Sequence, residues 1–144
     1  MIRDQSGNLY SSTGIGDLEG SVFELKPSNG SWNLSTIHNF FSNCLPQPVT
    51  MDAAGNLYGA CELGGRLDCG MVFKLTNSGG SWTFTDLYEF SCGGDGQYPA
   101  GVTLDSSGNL YGTTYRGGNL SDCVEFDYEG CSVVWEISGL ADRH

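Results

Sequence analysis

Asp105-Ser106-Ser107-Gly108-Asn109-Leu110-Tyr111 has two earlier counterparts, Asp4-Gln5-Ser6-Gly7-Asn8-Leu9-Tyr10 and Asp52-Ala53-Ala54-Gly55-Asn56-Leu57-Tyr58. Asp, Gly, Asn, Leu and Tyr recur in register, and Gly7, Gly55 and Gly108 stand 48 and 53 residues apart. Identity at a nearly constant period marks a tandem repeat, with loops absorbing the difference in spacing. Inside the stretch, an Asp side chain can accept backbone N–H bonds while Gly takes a positive φ. This predicts a tight hairpin that delivers Leu and Tyr into a strand.

Outward from the hairpin, a second shared element reads Val22-Phe23-Glu24-Leu25, Val72-Phe73-Lys74-Leu75 and Val134-Trp135-Glu136-Ile137. Alternation at period two puts the aromatic residue and the charge on opposite sides of a strand. A third element, Gly30-Ser31-Trp32 and Gly80-Ser81-Trp82, opens runs at 32–40 and 82–90 whose β-branched and aromatic content reads as a further strand. The turn Asn77-Ser78-Gly79-Gly80 joins it to the strand before. One unit thus reads as four antiparallel strands, near 102–104, 110–114, 72–75 and 82–90, which is the pattern of a propeller blade. The expectation is an all-β, β-propeller-like chain forming a single repeat domain over 1–144, with blades near 1–48, 49–98 and 99–144 and the last lacking its fourth strand. Such a chain is short of the roughly four or more blades of a closed ring, so an open arc is expected, continued in a longer parent chain or by self-association.

Composition narrows the function classes. Twenty-two Gly, 4 Pro and 12% aromatic residues describe a folded chain with many turns, not a disordered one. Seventeen Asp and Glu against 6 Lys and Arg give a net charge of −11, which repels phosphate backbones and anionic lipid, so nucleic acid is not an expected partner. No stretch approaches the roughly 18 apolar residues of a membrane span, and Met1-Ile2-Arg3-Asp4 does not open an apolar signal region. Membrane insertion is therefore not expected. Six Cys in a loop-rich chain point to disulfides made in an oxidising, extracellular or cell-surface setting, the chain then being a mature form or a piece of a longer exported one. Zinc is the weaker reading: seven residues separate Cys61 from Cys69 and Cys123 from Cys131, against about two to four in a zinc knuckle, and His38 stands alone.

Asp-x-x-Gly-Asn-Leu-Tyr-Gly-Thr-Thr-x-x-Gly-Gly, clearest from Asp105 to Gly118, followed by Gly-x-Val-Phe-Lys-Leu, clearest from Gly70 to Leu75, resembles the GloVer tandem-repeat family over nearly the whole chain. The hairpin is also similar to that of two-component-regulator and NHL-type propeller repeats. The resemblance implies a propeller in an exported or surface-anchored bacterial protein, and it supplies no catalytic residues. The first copy departs from the pattern at Ser11-Ser12-Thr13-Gly14, and the third carries a longer insertion, 119–130.

Cysteine placement follows the repeat, and the preferred pairing is Cys69 with Cys92, Cys123 with Cys131 and Cys44 with Cys61, as loop staples. The loop between the second and third strands is acidic in every copy: Asp17 and Glu19; Glu62 and Asp68; and Asp122, Glu125, Asp127 and Glu129. The last four are the calcium candidates, although their spacing matches no EF-hand loop. Tyr10, Tyr58 and Tyr111, with Trp32, Trp82 and Trp135, are assigned to inter-blade packing. Tyr98 and Tyr115, placed outside the strand runs, are the ligand-surface candidates. A Ser-His-Asp arrangement is not supported, because His38 sits in a strand-like run and His144 is terminal. Two carboxylates for glycoside hydrolysis remain open, since their separation is not legible in sequence. The functional expectation is a non-catalytic extracellular scaffold binding protein or glycan through its loops, with a carbohydrate-active propeller and a calcium-dependent adhesion module as alternatives and no cofactor other than calcium.

Overall fold

The computed structural model describes residues 1–15, 19–41, 43–119 and 130–140. Among them the regular structure is all strand: β1 (Ile2–Arg3), β2 (Leu9–Ile15), β3 (Glu19–Ser28), β4 (Ser31–Phe40), β5 (Thr50–Met51), β6 (Leu57–Cys61), β7 (Met71–Ser78), β8 (Ser81–Glu89), β9 (Gln97–Pro99), β10 (Thr103–Leu104), β11 (Leu110–Arg116) and β12 (Val134–Ile137). They form three four-stranded antiparallel sheets, β1-β2-β3-β4, β5-β6-β7-β8 and a third containing β9 to β12. In the third sheet β9 and β10 both lie along β11, Pro99 opposite Thr114 and Leu104 opposite Leu110, so four strands fill only three ladder positions. The edge of β12 facing away from β11 carries no strand among the described residues.

The recurring stretch folds the same way each time. Asn8, Asn56 and Asn109 donate their amide N–H to Oδ1 of Asp4, Asp52 and Asp105, each at 2.9 Å, and their Nδ2 to the other carboxylate oxygen. Gly7, Gly55 and Gly108 take φ of 88°, 85° and 84°, the left-handed region that glycine enters without strain. One bond was not foreseen. Tyr10, Tyr58 and Tyr111 donate their hydroxyls to the same carboxylates at 3.0, 3.0 and 3.2 Å, so the Tyr belongs to the turn as well as to the strand.

Successive sheets pack by one rule. The Tyr10, Val22 and Phe40 side of the first sheet meets Leu57, Phe73 and Leu75 of the second. The Tyr58, Val72 and Phe90 side of the second meets Leu110, Trp135 and Ile137 of the third. The middle sheet is covered on both faces, and every residue of β6 is buried. In both of the later sheets a glycine follows the Tyr, and a Cβ on Gly59 or Gly112 would overlap the ring of Phe73 or Trp135 across the ladder. Glycine there lets a flat ring lie on the backbone. The first copy has Ser11 instead, and its partner Phe23 is only half-buried.

The same rule leaves two faces bare among the described residues. Val22 and Val72 are 0% exposed, whereas Val134 at the equivalent place is 78% exposed. Trp82 meets Tyr10 edge-on at 6.1 Å and Trp135 meets Phe90 at 6.0 Å, as inter-sheet residues should. Trp32 does not: it is 52% exposed, because no sheet packs on that side of the first. Disulfides join Cys44 to Cys61 and Cys69 to Cys92, with Cα atoms 5.0 and 5.4 Å apart. The first ties the connection after β4 to the end of β6, and the second ties the start of β7 to the segment after β8. Cys131 is also disulfide-bonded, and Cys123 lies outside the described residues.

Candidate functional site

The outer strands β4 and β8 of neighbouring sheets come side by side, and their side chains are sorted by a bulge. In β8 the ladder to β7 runs Leu75 to Phe84 and Phe73 to Asp86, then shifts so that Val72 faces Tyr88 and Met71 faces Glu89. Leu87 is the extra residue, and an extra residue reverses which side the following side chains take. Phe84 accordingly packs with the cluster between the first and second sheets, while Phe90 packs with the cluster between the second and third. Glu89 is brought to the side of Asp86. An identical shift at Ile37 in β4 turns His38 and Phe40 toward the second sheet.

The result is a cleft of about 390 Å³ lined by His38, Phe40, Phe41, Phe84, Asp86 and Glu89. Its floor is aromatic: the His38 and Phe84 rings stack at 4.5 Å and 9°, and Phe40 meets His38 edge-on at 4.6 Å. Phe41 at the rim is 85% exposed. Loss of water around His38 lowers its pKa below 6.5, so the imidazole is neutral at pH 7. Asp86 moves the other way. Its carboxyl is pushed up to about 6, first by desolvation and then by the charge and hydrogen bond of Glu89. Below about pH 6 Asp86 is therefore a carboxylic acid that can donate a proton, and at pH 7 it is largely ionised and its oxygens accept.

The clefts between successive hairpin turns are larger, about 460 and 550 Å³, but their carboxylates are already occupied. Burial pushes the Asp52 carboxyl up, and bonds from Asn56, Tyr58 and the Ala54 amide outweigh this and hold it below its usual value. Tyr58 is in turn pushed up to about 12 by burial and by the Asp52 carboxylate. Such groups hold a turn and have little capacity left for a ligand.

The Gloeobacter/Verrucomicrobia repeat family matches residues 1–134, a span that includes all of the hairpins and both outer strands. The chain belongs to this family. Comparison with curated proteins and with solved structures gave no match. In this Gloeobacter/Verrucomicrobia repeat chain the predicted ligand-surface residues stand apart from the cleft. Tyr98 lies in β9 with the Arg116 guanidinium 5.8 Å from its ring centre, and Tyr115 lies in β11, 57% exposed. Both were expected outside the strands; they are inside because β11 runs on to Arg116 and pairs there with Gln97.

Of the acidic loop residues in the repeat, Glu62 accepts from Gln47 Nε2 at 3.1 Å and Asp68 accepts from the Gly64 N–H at 2.9 Å, both within the loop framework. The calcium candidates Asp122, Glu125, Asp127 and Glu129 lie outside the described residues, as do Asp17 and the side chain of Glu19. Among the described residues no three His, Cys, Asp or Glu side chains converge as metal ligands. Sequence reading missed Asp86, Glu89 and Phe41. Strict alternation would set Asp86 on the side of Tyr88, and nothing in the residue order announces the bulge between them.

Proposed function

We propose that this chain is a non-catalytic extracellular scaffold, a run of propeller blades that binds a hydroxylated ligand of the glycan type in the cleft between its first two sheets. The observation that carries this reading is the Asp86 and Glu89 pair beside an aromatic wall formed by Phe41, Phe84 and His38. Sugar recognition combines these elements, a ring face for C–H groups and acceptor oxygens for hydroxyls. A cleft of about 390 Å³ lies within the size range, roughly 300 to 1,000 Å³, of small-ligand sites. Disulfide pairing at Cys44–Cys61 and Cys69–Cys92 supports an oxidising location.

A glycan array probed with the intact chain, followed by calorimetric titration of the strongest binder, tests the proposal. Phe41→Ala is expected to weaken that binder about tenfold with unchanged circular dichroism. Array silence, or a binder indifferent to Phe41→Ala and Asp86→Asn alike, overturns it. Carboxyl groups in hydrogen-bond contact stand closer than the roughly 5 to 9.5 Å at which a pair flanks a scissile glycosidic bond, so the arrangement favours binding over cleavage.

A further inference from the structure

The carboxylates lining the cleft between the first two sheets are not a requirement of the repeat. Asp86 faces Phe73 and Glu89 faces Met71 across the ladder of β7 and β8, and the equivalent places on β4, opposite Phe23 and Ser21, hold Thr36 and Asn39. The Asp of each hairpin recurs because the turn uses it. Asp86 and Glu89 stand in one copy only, within a strand, and line an aromatic cleft of about 390 Å³.

The charge there is one-sided. Among the titratable groups lining the cleft, β8 supplies Asp86 and Glu89, and β4 supplies His38, which burial keeps neutral at pH 7; β7 supplies Met71. No ion pair joins either carboxylate to a Lys or Arg among the described residues. Glu89 lies against Gly65, where a Cβ would stand 3.6 Å from its carboxyl carbon, so the loop before β7 backs the side chain.

Two adjacent carboxylates match a ligand with more than one proton to donate. A sugar hydroxyl donates once, whereas an ammonium has three N–H donors and a charge that offsets the repulsion within the pair. A cation is also attracted to aromatic faces, and Phe41 and Phe84 line the same cleft. The net charge of −11 raises the local concentration of any cationic ligand.

We infer that the sugar unit held in this cleft carries a free, protonated amine, set between the Asp86 and Glu89 carboxylates with its ring on the Phe41 side. The inference rests on the glycan reading above and adds the class of sugar.

The test is calorimetric titration of the intact chain just above pH 6, where Asp86 is ionised for the most part. The probes are a glucosamine tetramer of the chitosan type, the same tetramer fully N-acetylated, and spermine, which has amines and no sugar ring. The amine tetramer is expected to bind about tenfold more tightly than the acetylated one, the scale of one hydrogen bond to a charged group. It is also expected to bind more tightly than spermine. Asp86→Asn and Glu89→Gln should each remove most of the preference for the amine, whereas Phe41→Ala should weaken both tetramers alike, all with unchanged circular dichroism. Glu136→Gln takes one negative charge from the third sheet and should leave the preference as it is. A preference lost as fully in Glu136→Gln as in Asp86→Asn traces it to net charge and overturns the inference. Equal affinity for the two tetramers, or spermine binding as tightly as the amine tetramer, overturns it too. In those cases a Phe41-dependent binder on the glycan array still leaves the glycan reading standing, and a silent array overturns both.

Discussion

The two inter-sheet interfaces are built on the same hairpin, and their aromatic layers pack differently. Between the first and second sheets Phe73 is fully buried, Phe84 stacks on His38, and Phe40 meets Phe73 at 5.0 Å. Between the second and third, Trp135 is half-buried and its neighbour is a cavity. Every copy has the Asp, Gly, Asn and Tyr of the turn, so the turn does not decide how well an interface closes. The outer strand does, because its aromatic side chain is the last piece in the layer.

Truncating the ring in each cleft gives the widest expected difference. Phe73→Ala empties a site with no route to collapse and is expected to cost about 4 kcal/mol in denaturant unfolding. Trp135→Ala removes a ring that already borders open space, and about 3 kcal/mol, the low end for such truncations, is expected. Equal costs would mean that the second cleft is as tightly packed as the first. The next comparison sets one hairpin against another. Asp52→Ala strands the Asn56 side chain and the Tyr58 hydroxyl, and about 2 kcal/mol is expected from the loss of bonds to a charged acceptor. The Asp105 carboxyl has the same partners and is less desolvated, and Asp105→Ala is expected to cost less. Because the folded Asp52 pKa lies below 3.8, its contribution is complete above about pH 4 and fades as pH falls through the folded value. Acid titration of wild type and Asp52→Ala should therefore converge only below pH 4.

The contrast also separates what the residue order discloses from what it hides. The hairpins were legible because Asp, Gly and Asn act within seven residues, on bonds that the turn alone dictates. The strands were legible because Val-Phe-Lys-Leu and its counterparts alternate cleanly. Trp32 was misjudged, since its sequence surroundings match those of Trp82 and only the absence of a covering sheet distinguishes them. The cleft was hidden for a different reason. Its side chains come from β4, β8 and the residue after β4, and their convergence depends on two bulges that reverse the alternation in the middle of a strand. Local propensity carries no record of such a shift when all flanking residues are good strand formers.

Asp86 offers the smallest and most specific way to sharpen the comparison. Thr36 holds its place in the first sheet, opposite Phe23, where no facing sheet and no carboxyl partner exist among the described residues. Its folded pKa of about 6 exceeds the unfolded 3.8, so the native state binds a proton more tightly than the unfolded chain between those values. Stability must then fall as pH rises from about 4 to 6 and stay level above. Much of Asp86 is open to solvent, and screening reduces the effect to about 0.5 kcal/mol. Asp86→Asn, neutral throughout, is expected to remove that slope and to gain this small amount at pH 7. Thr36→Asn should leave the slope untouched. If the slope survives in Asp86→Asn, the titrating group lies elsewhere in the molecule.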